Sequence, residues 1–260
     1  MKLIDIMQNL EQFCPHSFSM DWDNSGLQAG NTMNPVDTVL LAVDCTSSVV
    51  TQAIDKGAQL ILTHHPLVFK GVTSISDMDF VGKRIVRMLE NRISCFAMHT
   101  NFDVLGMADA AADELRLMDR EVLEVTFEDD VSREGLGRIG KLPEYMTLSE
   151  TAAYVKDAFG VPYVRVYGQP DTPVVTCAVL PGSGSSEIDI AISAGADVMI
   201  TGDITHHKGL DAVEKGIAVI DAGHYGIEKL FVPYMESYLR RELPELNVIR
   251  AEETEPCFTV

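Results

Sequence analysis

Hydrophobic and polar positions along the chain keep two rhythms, one helical and one extended. Residues 1–13, MKLIDIMQNLEQF, space their apolar side chains for one face of a helix, with Asp5 and Glu11 between them. Residues 39–44, VLLAVD, are an apolar run that predicts a buried strand, and CTSS after it is a Ser/Thr helix start. Residues 53–63, AIDKGAQLILT, predict a helix, a Gly-Ala turn and a second buried strand. A further helix and strand follow in GKRIVRMLENRISCFAMHTNFD.

The same order of signals returns 138 residues later. Residues 191–201, AISAGADVMIT, match 53–63 at five of eleven positions, and Leu60/Val198, Ile61/Met199 and Leu62/Ile200 are conservative. The flanks agree in kind: VVTCAVLP and GSGSS precede this copy, and HHKGLDAVEKGIAVIDAGHYGIE follows it. Each copy is a βαβ unit, which requires parallel strands with a helix packed across them. The expected fold class is α/β, with duplicated βαβ-containing halves related by a pseudo-dyad and mixed sheets flanked by helices. The halves are expected at 1–125 and 126–260, closely packed and able to exchange terminal elements.

The connecting region, roughly 119–175, opens acidic at 128–130 and passes through the glycine-punctuated strand pattern GLGRIGKL. It then reaches TLSETAAYVKDAFGVP, where Thr147 and Glu150 fit a capping box, Gly160 fits a C-terminal cap and Pro162 blocks continuation.

Composition narrows the function classes. Of 260 residues, 46% are hydrophobic and 23% charged, as in a globular protein with a proper core. No apolar run approaches the ~18 residues of a membrane span, and the N-terminus lacks the basic and apolar regions of a signal peptide. Five cysteines (Cys14, Cys45, Cys95, Cys177, Cys257) are scattered and never form C-x-x-C. They read as reduced thiols of a cytoplasmic protein, without a disulfide framework or a thiolate zinc site. The net charge of −19, from 39 acidic and 20 basic groups, disfavours nucleic acid as a partner. The densest basic group is Lys83-Arg84 with Arg87, so the acidic excess reads as a solubility feature.

Candidate chemistry gathers where strands end, because ligands of open α/β sheets bind beyond the carboxyl ends of the strands. ILTHHPLVFKG puts His64 and His65 at such an end, and Pro66 forces a change of direction there. Both imidazoles can then turn toward one pocket, each serving a different ion of a pair. His224 and Glu228, four apart at a helix start, share one helical face, and Asp103 in HTNFD offers another oxygen at another strand end. The candidate metal set is therefore His64, His65, Asp103, His224 and Glu228. Nitrogen and oxygen donors without thiolate suit two divalent ions, with zinc, manganese or iron first and nickel or cobalt after them.

Each residue also has a plainer use. An HH pair is often ordinary surface, Asp103 can be a turn or cap residue, and His224 and Glu228 can be a solvated helix pair. The matching edge of two repeats lifts the five as a set. His99 is a candidate for substrate contact or for orienting Asp103, or a buried, hydrogen-bonded histidine. Asp203, His206 and His207 in TGDITHHKG are candidates for proton transfer, or for a helix cap. His16 reads as incidental, Trp22 as a packing anchor, and Asp23 and Asn24 as a turn.

WDNSGLQAG, THHPLVFKG, HTNFD, GLGRIGKL, TGDITHHKGLDA and AGHYGIEKLF occur in order over nearly the whole chain. Together they resemble the NIF-three-like family, whose members are commonly labelled GTP cyclohydrolase 1 type 2 homologues. The resemblance implies a duplicated α/β fold, a dinuclear metal site between the halves, and a homohexameric ring. The chain resembles the short form without the inserted domain. Carried onto this sequence, the resemblance implies that His64 and Asp103 hold one metal, His65 and His224 the other, and Glu228 bridges them.

The expected function is a dinuclear-metal-dependent hydrolase using a metal-bridging hydroxide on a small molecule, with a nucleotide such as GTP as a candidate. A phosphoesterase or other amidohydrolase would use the same metals. The contrasting expectation is a non-enzymatic metal-binding assembly or regulatory protein; solvent-open coordination positions favour the enzyme, closed ones the structural role.

Overall fold

A computed structural model describes residues 1–253. The N-terminal amphipathic pattern forms α1 (Leu3–Phe13), which buries Leu3, Ile6 and Leu10. It is followed by β1 (Gly26–Ala29), β2 (Thr38–Ala42), α2 (Ser47–Asp55), β3 (Leu60–Thr63), α3 (Phe80–Glu90) and β4 (Ser94–Ala97). A short α4 (Thr100–Phe102) passes into a π-helical turn, Asp103–Met107, and then α5 (Ala108–Glu114). Next come β5 (Met118–Glu128), β6 (Arg133–Thr147), α6 (Leu148–Ala158), β7 (Arg165–Tyr167) and β8 (Pro173–Ser183). The chain ends with α7 (Ile188–Ser193), β9 (Val198–Gly202), α8 (His206–Glu214), β10 (Ala218–Asp221), α9 (His224–Glu228), α10 (Phe231–Glu242) and β11 (Asn247–Arg250).

The chain divides into two compact units, one of Met1–Phe102 with the chain from Phe231 onward, the other of Asp103–Leu230. The first holds a five-stranded sheet in the order β1-β4-β3-β2-β11. Its β2, β3, β4 and β11 run parallel, and β1 closes the edge antiparallel to β4. The second holds a six-stranded sheet in the order β5-β6-β8-β9-β10-β7. Its β8, β9 and β10 are parallel, and β7 closes that edge antiparallel to β10. The duplicated, mixed α/β fold is thus present: β2-β3-β4 and β8-β9-β10 are the two copies, each with an antiparallel strand beyond its last member.

The unit boundaries differ from the expected division near 125/126. The first unit ends at Phe102, and the C-terminal segment returns to it, because β11 pairs in parallel with β2, Val248 against Val39. Helix α10, which precedes β11, buries Phe231, Met235 and Leu239.

Local rules explain the elements. Gly57 and Gly195 end the repeated helices with φ of +65° and +82°, a conformation only glycine adopts cheaply. Thr46 caps α2, its hydroxyl accepting from the Val49 amide. The α6 capping box is reciprocal: Thr147 accepts from the Glu150 amide, and Glu150 accepts from the Thr147 amide at 2.8 Å. In the second unit β8, β9 and β10 are buried on both faces. Cys177, Val179, Val198, Ile200 and Ile220 join one core, while Ala178, Leu180, Met199 and Val219 join the other.

Cys14, Cys45, Cys95 and Cys177 are buried free thiols, and Cys257 lies outside the described residues. Among the described residues no helix is long and apolar enough to cross a membrane.

Candidate metal centre

In the first unit, β3 delivers its two histidines as the sequence suggests. Their amides still follow β2: His64 donates to the Ala42 carbonyl at 3.4 Å and His65 to the Val43 carbonyl at 2.9 Å. The side chains then part. His64 is fully buried, with Nδ1 2.8 Å from the Met98 carbonyl oxygen. His65 places Nδ1 2.9 Å from Asp44 Oδ1, at the end of the neighbouring β2. His99, just beyond β4, places Nδ1 2.7 Å from Asp23 Oδ1. One ring nitrogen from each of His64, His65 and His99 lies within 4.8 Å of the other two, so these three alone can hold an ion.

A carbonyl oxygen only accepts, so His64 must donate from Nδ1–H, which leaves the lone pair on Nε2. Asp44 and Asp23 impose the same tautomer on neutral His65 and His99. Anchoring one ring nitrogen on oxygen and freeing the other is how proteins orient metal-binding histidines.

Asp23 anchors a wider network. Its side chain is fully enclosed. Oδ2 accepts from the Ser25 hydroxyl at 2.6 Å, the Thr100 hydroxyl at 2.6 Å and the Thr100 amide at 3.1 Å. Burial alone would raise its pKa, but the hydrogen bonds from His99, Ser25 and Thr100 outweigh burial and hold the carboxyl well below its ordinary 3.8. Glu253 braces the Asp44 side of the site, accepting from the Val43 and Asp44 amides at 2.9 and 3.1 Å. Burial pushes the Glu253 pKa up despite those two amides.

The second unit repeats the arrangement with different residues. His224 opens α9 and places Nδ1 2.8 Å from Asp203 Oδ2. Its Nε2 stands 3.0 Å from Oε2 of the buried Glu228. With Nδ1–H given to Asp203, a lone pair faces a carboxylate oxygen, and only a proton or a cation between them relieves the repulsion. Two donors on one ion at ~2.0–2.2 Å each would sit about 3 Å apart, so the spacing fits a shared cation.

Backbone features support the pair. Asp203 adopts φ +58°, a costly conformation for a non-glycine residue, and its carboxylate meets His224. A Cβ on Gly202 would fall 2.5 Å from the His224 amide nitrogen, and one on Gly182 would fall 2.5 Å from Glu228 Oε1. In the repeat alignment Gly202 and Asp203 stand where the first copy has His64 and His65.

Asp103 opens the π-helical turn after the buried Thr100–Phe102, and such turns are frequent at functional sites. His206 and His207 are exposed in the first turn of α8, their rings 5.4 Å apart. Thr205, not Asp203, caps that helix. His16 is exposed, with Ser19 3.5 Å from its ring.

One reading is corrected. Trp22 is not a packing anchor: it is 67% exposed, because its turn faces outward while the next side chain, Asp23, points in. Asp23 does lie in the expected turn, its amide donating to the Met20 carbonyl at 2.9 Å, and its carboxylate also orients His99. Asp44 and Asp23 are the site residues that sequence reasoning missed. A signal existed for Asp44, which ends the strand beside β3. None existed for Asp23, which reaches His99 from 76 residues away.

Duplicated sheets with oxygen-anchored histidines and buried carboxylates at the strand ends define a class of α/β proteins equipped to hold metal. The chain belongs to the Duf34/NIF3 (NGG1p interacting factor 3) family, whose sequence profile matches residues 1–256. It is 35% identical to a "GTP cyclohydrolase 1 type 2 homolog" of Clostridium acetobutylicum, over 95% of this chain and 93% of that one. A crystal structure described as a Bacillus cereus protein related to NIF3 superposes with a TM-score of 0.91 at 25% identity, covering 100% of this chain and 99% of that one. A Staphylococcus aureus protein superposes at 0.90 with 30% identity over the same shares.

Proposed function

We propose that this chain is a metal-dependent hydrolase whose two sets of donors serve one dinuclear centre. By the family likeness, His64 and Asp103 would hold one ion, His65 and His224 the other, and Glu228 would serve both. The observation that carries this reading is the uniform anchoring of His64, His65, His99 and His224 through Nδ1 on oxygen. Structural histidines have no reason to share one tautomer; metal ligands do. The donor set, imidazole and carboxylate without thiolate, fits zinc, manganese or iron. A bound pair of such ions supplies Lewis acidity and lowers the pKa of water.

The chain's own residues do the rest. Asp44 and Asp203 keep His65 and His224 in the liganding tautomer. His99 is the proton carrier: it takes a proton at Nε2 while ionised Asp23 holds Nδ1–H and stabilises the imidazolium. His206 and His207, exposed on α8, are placed to exchange protons with solvent.

The relatives' name points to ring-opening hydrolysis of GTP, with water adding at the purine C8 and formate released. Phosphoesters and cyclic amides need the same Lewis acid and are the comparison substrates. We read the protein, on the same family likeness, as a cytoplasmic homohexamer, which sedimentation of the purified chain would test.

Elemental analysis of protein purified without chelator should approach two ions per chain, and Glu228→Ala should lower both occupancies. Metal-reconstituted protein should hydrolyse at least one of the three substrate classes. Saturation at one ion would sink the dinuclear centre. Two ions without turnover on any of the three would favour the structural metal protein.

A further inference from the structure

Beside the histidine cluster the first unit exposes two large aromatic side chains that its core does not use. Trp22 is 67% exposed and Phe69 is 55% exposed. Both border His99: Trp22 lies 5.9 Å from it, centroid to centroid, at 75°, and Phe69 lies 5.4 Å away at 78°. His99 itself is buried, within 5.3 Å of the His64 ring and 5.6 Å of the His65 ring. The three rings come from separate places, Trp22 from the turn before β1, Phe69 from the loop after β3, and His99 from the end of β4.

Leaving a tryptophan and a phenylalanine largely in water forfeits the burial that large rings normally gain. Two such rings beside one candidate proton carrier are placed for a ligand. Flat apolar faces edged by a buried imidazole select for a flat, conjugated partner, because a heteroaromatic ring gains by stacking whatever its sequence of ring atoms. An aliphatic or sugar group gains far less there. With Nδ1–H committed to Asp23, His99 offers its other nitrogen to an N–H or amino group on the ring's edge.

We propose that Trp22 and Phe69 form the substrate-binding platform of the site, and that the reacting molecule carries a planar heteroaromatic ring stacked there with one edge on His99. This rests on the reading of the histidine cluster as a hydrolytic site. It narrows that reading from any phosphoester or amide to substrates with a flat nitrogen heterocycle.

Trp22 is the chain's one tryptophan, so its fluorescence reports the platform alone. Full-length protein, metal-stripped and metal-loaded, is titrated with GMP, nicotinamide mononucleotide and ribose 5-phosphate, which differ in the ring they carry. At least one ring-bearing probe should change Trp22 emission and bind more tightly than ribose 5-phosphate. By calorimetry, Trp22→Ala and Phe69→Ala should each weaken that probe about 5- to 100-fold, while Trp22→Phe should largely restore it. Thermal melts and sedimentation of the same variants check folding and assembly.

Three binding outcomes would overturn the platform. One is ring-bearing probes that bind no better than ribose 5-phosphate. Another is folded alanine variants that bind the ring with wild-type affinity. The third is alanine variants with changed subunit assembly and intact ring binding, which would make the exposed rings a subunit contact. Ring binding in a protein that holds metal yet hydrolyses nothing would leave the platform standing and remove the hydrolase. Hydrolysis of a ring-bearing substrate with kcat/KM unchanged in both folded alanine variants would do the reverse.

Discussion

Asp23 shows how much one side chain can organise. It accepts from His99, Ser25 and Thr100 inside an enclosed pocket. An asparagine there must turn an amide toward one of those donors. Asp23→Asn should therefore cost about 1.5–3 kcal/mol in urea unfolding at pH 7, the range for hydrogen bonds to a charged group. The pH dependence has a definite sign. The folded pKa lies below the ordinary 3.8, so the ionised Asp23 contributes fully above that value. The contribution fades as pH falls below about 3.8 toward the folded pKa. The stability gap between wild type and Asp23→Asn should accordingly shrink on acidification below pH 4; a gap that widened would contradict the assignment. At Gly202 the cause is steric. A methyl group would meet the His224 backbone at 2.5 Å, so Gly202→Ala should destabilise by roughly 1–3 kcal/mol and reduce metal content. The paired histidines should separate in the same assay: His64→Ala and His65→Ala are expected to lose different ions. Loss of the same ion from both would make them co-ligands of one metal.

The elements carry the repeat, and here the sequence was most legible. Eleven residues sufficed to locate α2-β3 and α7-β9, because buried parallel strands need apolar runs and a helix returning to a strand needs a glycine turn. The α6 capping box was legible for a similar reason, since Thr147 and Glu150 satisfy amides within one turn. Thr147→Ala should lower stability by about 1 kcal/mol, measured by urea unfolding, with metal content unchanged. Less legible was the π-helical turn at Asp103, whose departure from α-helical bonding leaves no periodic mark. Strands β5 and β6 were equally hard to bound, since glycines and register shifts interrupt their alternation.

For the whole molecule, the return of the C-terminal segment sets the limits of the first unit. Without residues after 230, that unit would lose α10, with buried Phe231, Met235 and Leu239, and β2 would lose its partner β11. A 1–230 chain should expose that apolar surface, bind a hydrophobic dye and aggregate. Net charge acts at the same scale. With −19 overall, the protein should give no detectable mobility shift with duplex DNA at ~0.15 M salt.

By itself the sequence determined what depends on near neighbours: the helices and strands, their order, the duplication, and the histidines at the strand ends. Those properties follow from hydrophobic period, turn chemistry and capping, all of which act over a few residues. Tertiary structure alone decided which oxygen holds each imidazole. Met98 for His64, Asp44 for His65, Asp23 for His99 and Asp203 for His224 are separated from their partners by 21 to 76 residues. Apart from the place of Asp44 at the end of an apolar run, no local pattern announces them, because a hydrogen bond across a sheet edge depends on strand order and on which way each side chain turns. The exposure of Trp22 was decided the same way. As the lone tryptophan it reads as a packing anchor, and only the folded turn shows that Asp23 occupies the interior and leaves the indole outside, beside His99.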